Sequence, residues 1–175
     1  LARAKNFTYA DSYLKSGNWY RDIFMGNELY NKTLGIIGLG RIGALVATRM
    51  KSFGMKIIAY DPYISEERFE RYDVERKETL EELLKESDII TIHTPRTKET
   101  IGIIGRKEIS LMKDGVRLVN AARGKLMDEE ALYEGLKSGK IASLGLDVHE
   151  KEPRYESPLY EFKNVTVTPH IGATT

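Results

Sequence analysis

Three side chains that could act together on a carboxylic acid follow apolar segments in the second half of the chain: Arg123, Glu152 and His170. An arginine can grip a carboxylate at two points and polarise a neighbouring carbonyl. A histidine exchanges a proton near neutral pH, and a carboxylate that reaches it orients the ring and favours its charged form. With a nicotinamide nearby, this set could move a hydride between C2 of a 2-hydroxy acid and the nicotinamide ring.

Each polar side chain of this region also has a plainer interpretation. Arg123 could enter a helix and form a surface ion pair. A lone histidine is more often structural, which is our prediction for His149, and His93 could simply satisfy the end of a strand. Asp147 could cap a loop rather than bind a cofactor. Spacing alone leaves both interpretations open.

A glycine turn supplies the cofactor side of this chemistry. A short apolar run is followed by Gly38-Leu39-Gly40-Arg41-Ile42-Gly43 and then by apolar residues at helical spacing. In such a turn Gly38 permits the tight bend, Gly40 lets a pyrophosphate approach the backbone, and Gly43 lets the helix pack close to the strand. The free amides and the positive dipole end of that helix would receive the phosphates.

An acidic residue ends the next apolar run. Lys56–Tyr60 reads as a strand and leads into Asp61. A carboxylate at this strand tip can accept hydrogen bonds from both ribose hydroxyls, and it would repel a 2′-phosphate. The sequence therefore predicts a site for NAD rather than NADP.

Strand and helix patterns alternate along the rest of the chain. After the glycine turn, we predict strands at Ile89–Ile92, Val116–Val119, Ser143–Val148 and Val165–Thr168, with at best a brief edge strand at Asp73–Glu75. Helical segments are predicted at Glu66–Glu70, after a Thr79–Glu82 capping box, within Ile101–Met112, and at Glu129–Lys137 between an Asp128 cap and Gly139. This alternation predicts an α/β fold with a doubly wound parallel sheet, a Rossmann-type domain over residues 31–175. Ligands of such sheets bind beyond the carboxyl ends of the strands.

The first 30 residues do not follow this alternation of strand and helix patterns. Leu1–Leu14 has a helical pattern with an apolar face, and an arm rich in large apolar side chains follows it, including Trp19, Tyr20, Phe24 and Met25. The arm could fold back on its own domain, or it could cover a partner subunit. We favour the interpretation that the arm covers a partner subunit.

Composition narrows the class of protein. The length of 175 residues fits one domain with a full core, and a net charge of +1 gives no electrostatic support for a nucleic-acid or membrane partner. Without cysteine, neither a disulfide framework nor a thiolate metal site is possible, which fits the cytoplasm. No apolar run approaches the roughly 18 residues of a membrane span. The chain opens at Leu1 inside an apparent helix, so we expect a fragment.

Several motifs follow one another in a fixed order: the glycine turn with Asp61-Pro62-Tyr63, His93-Thr94-Pro95 with Thr97 and Thr100, Asn120-Ala121-Ala122-Arg123-Gly124, Gly145-Leu146-Asp147-Val148-His149 with Glu152-Pro153, and Thr168-Pro169-His170-Ile171-Gly172. Together, along almost the whole chain, they resemble the nucleotide-binding domain of the D-isomer-specific 2-hydroxyacid dehydrogenases. Two small departures are Ala122, where Ser is common, and His149, where Phe or Tyr is common.

The resemblance implies roles for particular residues. Arg123, Glu152 and His170 would form the catalytic set, Asp147 would contact the nicotinamide amide, and Thr94-Pro95 would lie beside the adenine. The helix and arm of residues 1–30 would build a homodimer. No metal is implied, and the predicted NAD site comprises Gly38, Gly40, Arg41, Ile42, Gly43, Asp61, His93, Thr94, Pro95, Ala121, Ala122, Arg123, Asp147, His170 and Gly172.

The resemblance also implies a second, substrate-binding domain that precedes and follows this one, and we expect it to be absent from this fragment. The piece alone should bind NAD(H) but turn over poorly. D-3-phosphoglycerate is the favoured substrate. Glyoxylate, hydroxypyruvate or another small 2-keto acid is the first alternative, and an NAD-sensing scaffold of the corepressor type is the second. A methyltransferase is disfavoured because it has no use for the three reacting side chains.

Overall fold

A seven-stranded sheet forms the centre of the computed structural model, which describes residues 6–174. Its strands are β1 (Thr33–Ile37), β2 (Lys56–Tyr60), β3 (Glu75–Arg76), β4 (Ile89–Ile92), β5 (Val116–Asn120), β6 (Ile141–Leu146) and β7 (Val165–Val167). The spatial order is β3-β2-β1-β4-β5-β6-β7, and every neighbouring pair is parallel. The predicted doubly wound parallel sheet is confirmed.

Helices connect the strands and end close to the predicted positions. They are α1 (Phe7–Lys15), α2 (Arg41–Lys51), α3 (Glu66–Arg71), α4 (Leu80–Glu86), α5 (Arg106–Leu111) and α6 (Glu129–Lys137), with short 3₁₀ helices at Arg21–Phe24 and Pro158–Glu161. Of the helix predicted for Leu1–Leu14, the first five residues lie outside the described residues. The sixth strand begins two residues earlier than predicted and ends at Leu146, so Asp147 and Val148 belong to the loop.

Two of the helix starts follow from local capping chemistry. The Thr79 hydroxyl accepts a hydrogen bond from the Glu82 amide at 3.2 Å, and the Glu82 carboxylate accepts one from the Thr79 amide at 3.3 Å. The Asp128 carboxylate accepts a hydrogen bond from the Ala131 amide at 2.7 Å. Each cap satisfies amides that a helix start would otherwise leave without partners, and both predicted caps are confirmed.

The core covers the two halves of the sheet unequally. In β1, β2 and β4, residues pointing to either face are buried. In β5 the pattern alternates, because Val116, Leu118 and Asn120 are buried whereas Arg117 and Val119 are partly exposed. The residues of β7 are all half-buried. Side-chain burial is therefore more complete in β1, β2 and β4 than in β5 and β7.

The helix α1 lies against the last strand. The hydroxyls of Thr8 and Thr166 are 3.1 Å apart, and the ammonium of Lys163 lies 5.3 Å from the Tyr9 ring centroid. Phe24 packs against the rings of Tyr9 and Tyr13.

Most of the rest of the arm stays exposed, although Leu29 near its end is buried in the core with Leu34 and Ile36. Trp19 and Met25 each remain 85% exposed, and Tyr20 is 58% exposed. Among the helices of residues 6–174, none has the length and apolar character needed to cross a bilayer.

Candidate active site

The glycine turn between β1 and α2 has the geometry that its spacing predicts. Gly38 has φ +93°, a conformation that L side chains rarely adopt. A Cβ on Gly43 would overlap the carbonyl oxygen of Gly38, so only glycine lets α2 approach the strand this closely. A Cβ on Gly40 would meet no atom within 4 Å, which leaves open space beside the backbone at the start of the helix.

Asp61 is fixed to this turn. Its carboxylate accepts a hydrogen bond from the Leu39 amide at 2.9 Å and another from the Tyr63 amide at 3.0 Å. On the other side of the Leu39 residue, the Arg68 guanidinium donates to its carbonyl at 2.9 Å. Arg68 was missed by sequence reasoning, because no motif links a helix residue 29 positions away to the turn.

A cleft of about 240 Å³ joins the glycine turn to the ends of β4 and β5. The predicted cofactor residues that line it are Ile42, His93, Thr94, Pro95, Ala121, Ala122 and Arg123. The structure therefore brings together side chains from three separate strand-to-helix connections, as expected at the carboxyl rim of a parallel sheet.

His93 lies half-buried in this cleft and is uncharged at neutral pH. Its Nε2 is 3.0 Å from the hydroxyl of Thr91, two residues earlier on the same face of the strand. Burial lowers the pKa of His93 to about 4. A neutral ring can contact a cofactor, but it cannot neutralise a phosphate.

Arg123 is held in place through a buried asparagine. The Asn120 side chain donates to the Arg123 carbonyl at 2.9 Å and accepts from the Ala122 amide at 3.0 Å. A Cβ on Gly124 would overlap the carbonyl of His149, so this loop also packs directly against the loop after β6. Sequence reasoning placed Asn120 in a motif but gave it no role, although asparagine at a strand end is a recognised turn-forming signal.

Glu152 and His170 form a direct pair. Nδ1 of His170 lies 2.8 Å from Oε2 of Glu152, whose other oxygen accepts the His149 amide at 2.9 Å. The hydrogen bond from His170 and the one from the amide hold the pKa of Glu152 below its usual range. Because an ionised carboxylate only accepts, the shared proton belongs to Nδ1 of His170, and Nε2 is left as the second ring nitrogen.

The backbone of His170 is itself unusual, with φ +56°. The side chain of Asp147 spans the turn around it, accepting hydrogen bonds from the Thr168 hydroxyl at 2.5 Å, the Ile171 amide at 2.8 Å and the Gly172 amide at 2.7 Å. The loop-capping interpretation of Asp147 therefore describes its contacts in this structure. Sequence reasoning gave Thr168 no role.

These groups lie along one rim of the sheet. Gly38 follows β1, Asp61 follows β2, Arg123 follows β5 and His170 follows β7, each at the carboxyl end of its strand. Glu152 and His170 are in contact, whereas Arg123 lines the neighbouring cleft with His93. The glycine turn and the three predicted catalytic side chains thus lie at the same edge of the sheet.

A sequence profile described as "D-isomer specific 2-hydroxyacid dehydrogenase, NAD binding domain" matches residues 1–172. The chain belongs to this family. It is 52% identical over 176 residues to a D-3-phosphoglycerate dehydrogenase of Archaeoglobus fulgidus and 49% identical over 182 residues to a glyoxylate reductase of Thermococcus gammatolerans. Both alignments cover the whole chain, which spans 33% of the first relative and 54% of the second.

Solved structures of the family share the fold as well. The structure of D-lactate dehydrogenase from Aquifex aeolicus complexed with NAD and lactic acid superposes with a TM-score of 0.88 at 39% identity. The alignment covers 99% of this chain and 57% of that one.

The described residues fit the dinucleotide that an NAD-binding domain takes. The space beside Gly40 leaves room for a pyrophosphate at the start of α2, and Asp61 stands next to it. The hydroxyl of Thr94, a residue that lines the cleft, is buried without a hydrogen-bond partner among the described residues. Gly172 lies against the Asp147 carboxylate.

Proposed function

We propose that the protein containing this NAD-binding domain is an NAD-dependent dehydrogenase of D-2-hydroxy acids, with D-3-phosphoglycerate as the favoured substrate. The observation that carries the proposal is the 2.8 Å hydrogen bond between Glu152 and His170, on the same rim as the glycine turn and Arg123. Relatives named D-3-phosphoglycerate dehydrogenase and glyoxylate reductase support it.

The proposed chemistry assigns one task to each side chain. Bound NAD supplies the acceptor for the hydride that leaves C2 of the hydroxy acid. Arg123 binds the substrate carboxylate and polarises the carbonyl that forms at C2. His170 takes the hydroxyl proton on Nε2, since Nδ1 is bonded to Glu152. Glu152 then stabilises the charged ring that results.

The reacting side chains favour an enzyme over an NAD-sensing scaffold, since a scaffold needs no proton-transfer pair. Within the family, the relative named glyoxylate reductase at 49% identity keeps glyoxylate as the second candidate substrate. A substrate panel on the intact protein separates the two: higher kcat/KM for D-3-phosphoglycerate than for glycolate or D-glycerate supports our assignment, and the reverse order overturns it.

The test of the catalytic set is His170→Ala in the intact enzyme, where we expect kcat to fall by roughly 10²–10⁴-fold, far more than the affinity for NADH. Arg123→Ala should instead raise KM for the acid substrate as well as lower kcat, because it removes a substrate contact. Near-normal turnover by the His170 variant would refute the assignment.

We further propose that residues 1–30 form a homodimer contact. The exposed side chains of Trp19, Tyr20 and Met25 support this, because several large apolar side chains exposed together on one short arm are unusual in a monomer. Sedimentation of the intact protein should give a dimer, and a double Trp19→Ser, Met25→Ser variant should shift it toward the monomer. A cytoplasmic location stays a prediction from composition.

A further inference from the structure

His149 lies two residues beyond Asp147 in the loop after β6, and its ring reaches the loop that carries His170. Its Nε2 is 3.1 Å from the carbonyl oxygen of Thr168. Because a carbonyl oxygen only accepts hydrogen bonds, the proton lies on Nε2 of His149. The ring also contacts Tyr160 edge-on, with 6.3 Å between the centroids.

The same residue contacts the other member of the reacting pair through its backbone. The His149 amide donates to Oε1 of Glu152 at 2.9 Å, and Oε2 of that carboxylate is then the oxygen that receives His170. His149 thus contacts both loops, holding Glu152 with its main chain and the residue two positions before His170 with its side chain.

We propose that His149 is a positioning residue for the Glu152–His170 pair, an inference that rests on the proposed hydride-transfer function. The left-handed backbone of His170 persists only when its surroundings fix it from several sides. Asp147 holds the hydroxyl of Thr168 and the amides after His170, and His149 holds the Thr168 carbonyl. Without the His149 contact, the carbonyl side of Thr168 would lose its link to the loop of Glu152.

A packing role gives a different expectation. If His149 served only to place a ring against Tyr160, phenylalanine would replace it without loss, since it keeps an aromatic ring and removes only the N–H donor. Glutamine does the reverse, since it offers an N–H at a similar distance from the backbone but no ring. The pair His149→Phe and His149→Gln therefore separates the hydrogen bond from the packing.

The experiment measures the His170 ring directly. The chain has only three histidines, so ¹⁵N-histidine labelling gives a spectrum that single variants assign. In the wild type the Nδ1 proton of His170 should exchange with water more slowly than that of a free imidazole, because it is bonded to Glu152. We expect His149→Phe to speed this exchange by about three- to tenfold, the effect of losing one hydrogen bond, and His149→Gln to stay closer to wild type.

Kinetics on the intact enzyme complete the test. His149→Phe should lower kcat by about three- to tenfold, with KM for NADH changed less than twofold, and His149→Gln should recover most of the loss. Exchange and kcat unchanged in His149→Phe, or equal losses in both variants, would overturn the proposal. Absence of turnover in the wild type would instead refute the proposed function, and the exchange measurement would still report whether His149 positions the ring.

Discussion

The Leu39 amide donates a hydrogen bond to the Asp61 carboxylate at 2.9 Å, which joins the glycine turn to the residue expected to distinguish the two dinucleotides. A ribose at this strand tip would meet the Asp61 carboxylate, which hydrogen bonds from the Leu39 and Tyr63 amides already hold in place. We therefore expect this one contact to link cofactor choice to the shape of the turn.

Charge at Asp61 should determine the preference for NADH over NADPH. Asp61→Asn keeps an acceptor for the Leu39 amide but removes the charge that repels a 2′-phosphate. We expect it to weaken NADH binding by about tenfold, or about 1.4 kcal/mol, and to narrow the preference over NADPH. Titration with either cofactor, followed by the fluorescence of the reduced nicotinamide, measures both effects. Equal affinities in the wild type, or an unchanged ratio in the variant, would contradict the role of the charge.

Two glycines of the turn should respond in opposite ways to the same substitution. Gly43→Ala places a methyl group on the carbonyl of Gly38, so we expect a loss of about 2 kcal/mol in the free energy of unfolding. Gly40→Ala meets open space and should leave stability within about 0.5 kcal/mol of wild type, yet weaken NADH binding because the methyl group occupies the approach to the backbone. Urea denaturation and NADH titration compare the two; a shared loss of stability would contradict this separation.

The partial burial of the His93 ring should make the free energy of unfolding depend on pH. Its pKa of about 4 in the folded protein lies below the value near 6.5 of an ordinary histidine, so the unfolded chain binds more protons. The contribution of the neutral His93 ring to the free energy of unfolding is fully present above about pH 6.5 and is lost as the pH falls toward 4. His93→Gln should flatten the stability profile over this window, and NMR should show no titration of the His93 ring between pH 5 and 8, roughly the range in which exposed histidines titrate. A midpoint near 6.5 would contradict it.

A largely buried ion pair anchors the loop that carries Glu152. The Arg154 guanidinium contacts both oxygens of Glu129, at 2.7 and 2.9 Å, and each side chain is 19% exposed. Arg154→Met leaves the Glu129 carboxylate without its partner, so we expect the free energy of unfolding to fall by about 2 kcal/mol at pH 7.

The pH dependence of that loss gives a second check. Burial raises the pKa of Glu129 even with Arg154 present, so the folded protein holds this proton more tightly than the unfolded chain does. The loss in the free energy of unfolding caused by Arg154→Met should therefore shrink as the pH is lowered from 7 toward 5. A Glu129→Gln, Arg154→Met double variant should lose less of this free energy than the single variant. Urea unfolding at both pH values measures this, and an equal deficit at each would count against the explanation.

The sequence predicts those parts of the site that depend on neighbours along the chain. The glycine turn and the caps at Thr79 and Asp128 are local in this sense and are found where expected, and most strand ends lie within one or two residues of the predicted positions. The contacts of Arg68 with Leu39, and of Arg154 with Glu129, join residues 29 and 25 positions apart that share no periodic pattern. Their partners depend on how the loops pack, which a pattern of apolar residues does not specify.

The arm and the Asp147 loop show the same limit. The abundance of large apolar side chains after Gly17 indicated that the arm covers a surface but not which surface. In this structure Phe24 packs on α1 and Leu29 lies in the core, whereas Trp19 and Met25 stay exposed. Asp147 has two plausible uses from its place at a strand end, and only the folded loop shows that its oxygens are engaged by Thr168, Ile171 and Gly172.

The uneven core has a consequence for how the cofactor is received. Most residues of β1 and β2, which present the glycine turn and Asp61, are buried, whereas the three residues of β7, which presents His170, are only half-buried. Amide hydrogens of β1 should accordingly be the slowest to exchange for deuterium, and those of β7 among the fastest of the sheet. The part of the site expected to hold the adenosine would then be rigid, whereas the part that carries His170 would remain flexible until the substrate binds.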